Sequence, residues 1–214
     1  IIDSDIKFTK QLNFLPNWIK RRNFSIASYG FCLPNKGFKE LIQAICILNN
    51  RGHKIRLNIY SALYSEDYNF YYNELYNLVS ELNLERLVQI HNEYMQDHET
   101  IDNLSSHDCL VFPYQYTNES SSAAVRHGLA SLAPVLVTPH PIFDDIESLV
   151  TRLAGFTSED IANGIQDFYF KNKTSIDKSL HINFKEKRYE DISNIQFSKI
   201  SHKLANMIKS LEIN

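Results

Sequence analysis

"DCLVFPYQYTNESSSAAVRHGLASLAPVLVT", residues 108–138, is the stretch whose reading decides the fold. It opens on a short apolar run, "DCLVFPY" (108–114), and passes through a polar loop with one carboxylate, Glu119, ahead of three serines. A helical segment with few charges follows, and then a second apolar run, "APVLVT" (133–138). The pattern reads as strand, loop, helix, strand. Upstream it repeats. "FSIASYG" (24–30) reads as a buried strand, and Asn35-Lys36-Gly37 breaks the chain before "FKELIQAICILNNRG" (38–52), which has apolar residues at helical spacing. "KIRLNIYSA" (54–62) is the next strand, "YNFYYNELYNLVSELNL" (68–84) a second helix, "RLVQIH" (86–91) a third strand and "HETIDNLSSH" (98–107) a short helix. Strands alternating with helices imply β-α-β units, a parallel sheet and right-handed crossovers. The strands are continuous apolar runs, as fits a sheet covered on both faces.

Beyond this core, "SEDIANGIQDFYF" (158–170) starts like a capped helix, 171–183 reads as a polar loop, and 184–211 reads as helical. Residues 1–23 form a mixed lead-in ending in Lys20-Arg21-Arg22. The expected organisation is therefore a lead-in or linker over 1–23 and one domain over 24–214. That domain has its core at about 24–170 and extra C-terminal helices at about 184–211.

Composition narrows the function classes. The 214 residues are 43% hydrophobic and 22% charged, ordinary for a globular domain. A formal net charge of -3 gives no bulk electrostatic case for nucleic acid or an anionic membrane. Cys32, Cys46 and Cys109 are widely spaced among apolar neighbours, which suits buried free thiols in a reducing compartment. No apolar run approaches the ~20 residues of a membrane span. There is no signal-peptide pattern, and the first residue is Ile1, so the chain is expected to be a piece of a longer, cytoplasmic polypeptide. The N-x-S/T matches at Asn23, Asn118 and Asn172 are short enough to arise by chance. No His/Cys cluster has metal-ligand spacing, and the G-x-S-x-G, Walker and G-x-G-x-x-G motifs are all missing.

In an open parallel sheet ligands bind at the carboxyl ends of the strands, so the loops after the strands hold the candidates. In 113–121, the serines after Glu119 cap a helix whose free N–H groups suit a phosphate, and the carboxylate beside them suits ligand hydroxyls. A cap with no ligand explains the same residues. In "GFCLPNKG" (30–37), Gly30 allows close approach to the first strand and Lys36 can neutralise a phosphate; a glycine turn with a solvated lysine is the alternative. Arg126 and His127 fall about two turns into the helix after Glu119, facing either the cleft or the surface. Of the tyrosines at 60–76, Tyr68 and Tyr72 share helical spacing with Leu75, Val79 and Leu82 and read as core, leaving Tyr64 as a contact candidate. In "TPHPIFDD" (138–145), His140 follows the fifth strand between two prolines that also fit a rigid turn.

Taken in order, these features resemble the C-terminal, donor-binding half of a GT-B glycosyltransferase of the large retaining family 4 group. That group shows G-R-x-x-x-x-K-G after the domain's first strand, and later P-S-x-x-E-x-F-G-x-x-x-x-E-A-x-A-x-G-x-P-V. Here the motifs stand as "GFCLPNKG" and "PYQYTNESSSAAVRHGLASLAPV". The helix "KGFKELIQA" and the region "LNLERLVQIHNEY" are also similar, so the likeness covers roughly residues 24 to 170. "ESSSAAVRHGLA…PVLVTPHPIFDD" resembles a subgroup found in bacterial surface-polysaccharide enzymes.

The resemblance implies an α/β, Rossmann-like parallel sheet flanked by helices. It also implies retaining sugar transfer from a nucleotide-diphosphate donor, without a metal or other cofactor. The acceptor, a glycan or lipid-linked sugar, would be held by other domains at the inner face of the membrane. Lys36 matches the lysine on the donor diphosphate, Glu119 the first glutamate of a spaced pair that holds the donor sugar, and Ser120 and Ser121 the positions whose N–H groups face the donor. Two departures matter: the motif's arginine is Phe31, and its second glutamate, which holds the ribose, is His127. The glycine before Pro-Val is also replaced, with Leu132 and Ala133 in that region. A rival of a different class follows: a catalytically degenerate module that scaffolds an assembly.

Overall fold

The computed structural model describes residues 24–63 and 65–174. Its sheet has six strands: β1 (Ser25–Tyr29), β2 (Arg56–Tyr60), β3 (Val88–His91), β4 (Cys109–Phe112), β5 (Val135–Val137) and β6 (Thr151–Arg152). They lie in the order β3-β2-β1-β4-β5-β6, every neighbouring pair parallel. The helices are α1 (Phe38–Asn50), α2 (Asn69–Glu81), α3 (Asp97–Ser105), α4 (Ala123–Ala130) and α5 (Ser158–Thr174). A 3-10 stretch, Pro141–Leu149, follows β5.

Both faces of the sheet are covered, which is why its central strands lack polar alternation. In β4, Cys109 and Val111 enter one core with Leu41, Ile42, Ile45 and Leu48 of α1, Tyr71 and Leu75 of α2, and Ile161 and Ile165 of α5. Leu110 and Phe112 enter the other with Ile101 and Leu104 of α3, Val125 and Leu129 of α4, and Phe143 of the 3-10 stretch. Each fully buried Leu or Ile in these layers contributes about 1.5–3 kcal/mol.

The five expected strands all form. The sixth, Thr151–Arg152, was not expected: it is two residues long and polar, and only its pairing with β5 makes it a strand. β4 stops at Phe112 rather than Tyr114 because Pro113 has no N–H for the ladder. On α2 the buried stripe is Tyr71, Leu75 and Val79, every fourth residue, and not the stripe through Tyr68 and Tyr72; Tyr72 packs only partly against the core. The segment after β5, expected as a rigid turn, winds into the 3-10 stretch, which β6 then anchors. The lead-in 1–23, Tyr64 and the proposed C-terminal helices lie outside the described residues.

Candidate functional site

The strand order reverses direction between β1 and β4, and the helices that follow these two strands, α1 and α4, lie on opposite faces of the sheet. Loop 30–37 and loop 113–122 meet at this point. The Gln115 N–H donates to the Asn35 carbonyl at 2.9 Å. The contact is close enough that a Cβ on Gly37 would lie 1.8 Å from the Pro113 carbonyl oxygen, and Gly37 has φ 73°. Only glycine meets both conditions. Gly30, with φ 146°, follows β1 and faces the first turn of α4: a Cβ there would lie 3.6 Å from that of Ala124.

The meeting of the loops places Lys36 against Glu119, 83 residues further along the chain. The ammonium donates to both carboxylate oxygens at 3.2 Å. The pair is asymmetric: the lysine side chain is 7% exposed and the glutamate 44%. On its other side the ammonium lies 4.2 Å from the centroid of the Tyr114 ring. The lysine is thus buried with its charge met by a carboxylate and an aromatic face.

The N-terminus of α4 lies beside this pair. Its cap is Ser122, whose hydroxyl accepts from the Val125 N–H at 3.3 Å and bonds the Tyr114 hydroxyl at 2.7 Å. Ser120 and Ser121 precede the cap and are exposed. The sequence did not single out Ser122. The available signal was its place immediately before the apolar helical run. The sequence also missed Tyr114, which reads there as the last residue of a strand.

Arg126 and His127 are engaged by the protein. Buried Arg126 donates to the Ser122 carbonyl at 2.8 Å and pairs with Asp145. His127 uses both ring nitrogens, Nδ1 to the Ala123 carbonyl at 3.0 Å and Nε2 to Asp97 at 3.1 Å, and its ring lies 5.6 Å from that of Tyr29. His140 accepts from the Ile142 N–H at 3.1 Å through Nδ1 and so caps the 3-10 stretch; its ring meets Phe156 edge-on at 6.4 Å. Phe31, in the place of the motif's arginine, is 44% exposed.

On the other side of Glu119 is an open depression of about 720 Å³, whose walls include Glu119, Ser120, Tyr116, His140 and Phe156. The site therefore offers a buried ammonium and a helix N-terminus for an anion, and a half-exposed carboxylate for hydroxyls next to an aromatic-walled hollow. Behind it, burial pushes the Cys32 thiol and the Tyr29 hydroxyl up from their ordinary values, so neither supplies an anion at neutral pH. Among the described residues no group of three or more His, Cys, Asp or Glu side chains is placed to hold a metal ion.

No family model matches the sequence, and no curated protein matches it. Solved structures do. A glycosyltransferase from Rickettsia africae is similar over 94% of this chain and 54% of its own, with TM-score 0.71 and 17% identity. Anabaena Alr3699/HepE, solved in complex with UDP and glucose, is similar over 88% of this chain and 48% of its own, with TM-score 0.69 and 15% identity. The UDP-forming alpha,alpha-trehalose-phosphate synthase of Burkholderia vietnamiensis follows at 94% and 48%, with TM-score 0.68 and 9% identity. At such identities the likeness shows the fold alone: an α/β, Rossmann-like parallel sheet flanked by helices, of the kind that makes up one half of the GT-B fold. The chain spans about half the length of these structures.

Proposed function

We propose that this chain is the donor-binding half of a retaining GT-B glycosyltransferase of the family 4 type, acting in bacterial surface-polysaccharide synthesis at the cytoplasmic face of the membrane. The observation that carries the reading is the Lys36–Glu119 pair, set beside the α4 N-terminus at the switch in strand order. The donor is a nucleotide-diphosphate sugar. Its diphosphate takes the Lys36 ammonium and the N–H groups of the first turn of α4. These stabilise the charge that develops as the glycosidic bond breaks, with no metal needed. A phosphate oxygen competing for Lys36 releases Glu119, whose carboxylate then accepts from the sugar hydroxyls. Gly30 keeps the floor open. Ser120 and Ser121 border the donor, and His140, which lines the hollow beside Glu119, lies toward its sugar. The acceptor, a glycan or lipid-linked sugar, comes from the other half of the enzyme. Support comes also from the fold shared with a protein solved with UDP and glucose.

A thermal-shift panel of UDP, GDP, ADP, CMP and their sugars, on wild type and Glu119→Ala, tests this. One nucleotide should stabilise wild type, more so as its sugar form, and the sugar increment should vanish in the variant. A flat panel overturns the reading. It would favour a degenerate scaffolding module, for which the engagement of Arg126 and His127 by protein groups and the presence of Phe31 speak.

A further inference from the structure

We infer that Tyr114 is a positioning residue that ties the Lys36 ammonium to the N-terminus of α4, so that one rigid ring sets the spacing of the two anion-binding groups. The inference rests on the reading of those groups as the diphosphate site. Tyr114 is 1% exposed and held from several sides. Its carbonyl accepts from the Thr138 hydroxyl at 2.6 Å, and its ring packs on Phe143 at 5.3 Å. Its two functional handles point to different partners. The ring face carries the Lys36 ammonium at 4.2 Å, and the hydroxyl bonds the Ser122 hydroxyl that caps α4.

Glu119 and Tyr114 play unlike parts toward Lys36. Glu119 is half exposed and sits in a loop, so a competing anion can displace it. Tyr114 cannot leave. When a phosphate takes the place of the carboxylate, the ring still holds the ammonium, and the hydroxyl still holds the helix end at the same distance. A four-carbon stem has many rotamers, so a fixed aromatic face limits where the charge rests. Phenylalanine would carry the cation equally well but leave the Ser122 hydroxyl with the Val125 N–H alone; tyrosine does both.

The test uses the 214-residue chain and needs no ligand for its decision. Lys36 acylation by acetic anhydride, read by peptide mass spectrometry, reports the ring. Amide exchange over 121–127 reports the helix end. Tyr114→Phe should leave the Lys36 rate unchanged and speed exchange at α4 about fivefold. Tyr114→Leu should speed both, Lys36 acylation by about fivefold. A role in packing alone would not separate the two handles. Equal Lys36 rates in wild type and Tyr114→Leu, or unchanged α4 exchange in Tyr114→Phe, overturns the inference; if Tyr114→Leu fails to fold, the Tyr114→Phe exchange alone decides. UDP titration is a separate arm. If wild type binds no UDP while the two rates split as described, the donor-site reading loses support and the coupling stands.

Discussion

Two cations sit close to the same helix end and have opposite fates. Lys36 faces a half-exposed carboxylate that can swing away, and its other neighbour is an aromatic face that asks for no proton. Arg126, within α4 itself, is bonded to the carbonyl of the cap residue and paired with Asp145 from the 3-10 stretch. In the proposed reading the first is a charge held ready for exchange; the second fastens α4 to the segment after β5. Proximity to a helix N-terminus therefore does not make a cation a ligand. What matters is whether its present partner can be displaced without leaving a buried group unmet.

This contrast can be broken in several ways. The largest effect is expected at the junction that creates the site. Gly37→Val drives a Cβ into the Pro113 carbonyl from a left-handed backbone, and should cost about 3 kcal/mol in denaturant melts and remove nucleotide binding. Next comes Arg126→Met. It should lower stability by about 2 kcal/mol, because Asp145 loses its ion pair and the Ser122 carbonyl its side-chain donor, while the folded fraction binds nucleotide as wild type does. Lys36→Met reverses that outcome: stability within about 1 kcal/mol of wild type, affinity down by about 10- to 100-fold in calorimetry.

The smallest effect concerns pH. Burial raises the Cys32 thiol and the Tyr29 and Tyr71 hydroxyls in the folded chain. Their neutral forms are favoured there. The stability they contribute is fully present below the unfolded thiol's ordinary value of 9.0 and the tyrosines' 10.0, and is lost as pH rises through the raised folded values. The melting temperature should therefore fall above about pH 9, and Cys32→Ala should blunt the start of that fall.

The sequence carried the sheet because its strands are buried on both faces and read as unbroken apolar runs between helices. It also carried Lys36, Glu119 and Gly30, through loop positions and family resemblance. The parts it hid are hidden for physical reasons. The Lys36–Glu119 contact joins loops 83 residues apart, a closeness that exists only once β1 and β4 are side by side. In the run Ser120-Ser121-Ser122, three identical side chains compete for the cap, and the helix register alone selects the third. Arg126 and His127 were legible as polar residues on a helix near the site. Their partners, Asp145 and Asp97, come from other elements, and neither is marked by spacing. Tyr114 was obscured by the apolar run it ends, although its hydroxyl bonds that of the cap residue, Ser122.

The most direct measurement is a calorimetric titration of UDP, GDP and ADP into three chains side by side: wild type, Lys36→Met and Arg126→Met. The account predicts that wild type and the folded Arg126→Met bind one of the nucleotides alike and that Lys36→Met does not. Equal binding by wild type and Lys36→Met, or binding by none of the three, would contradict it.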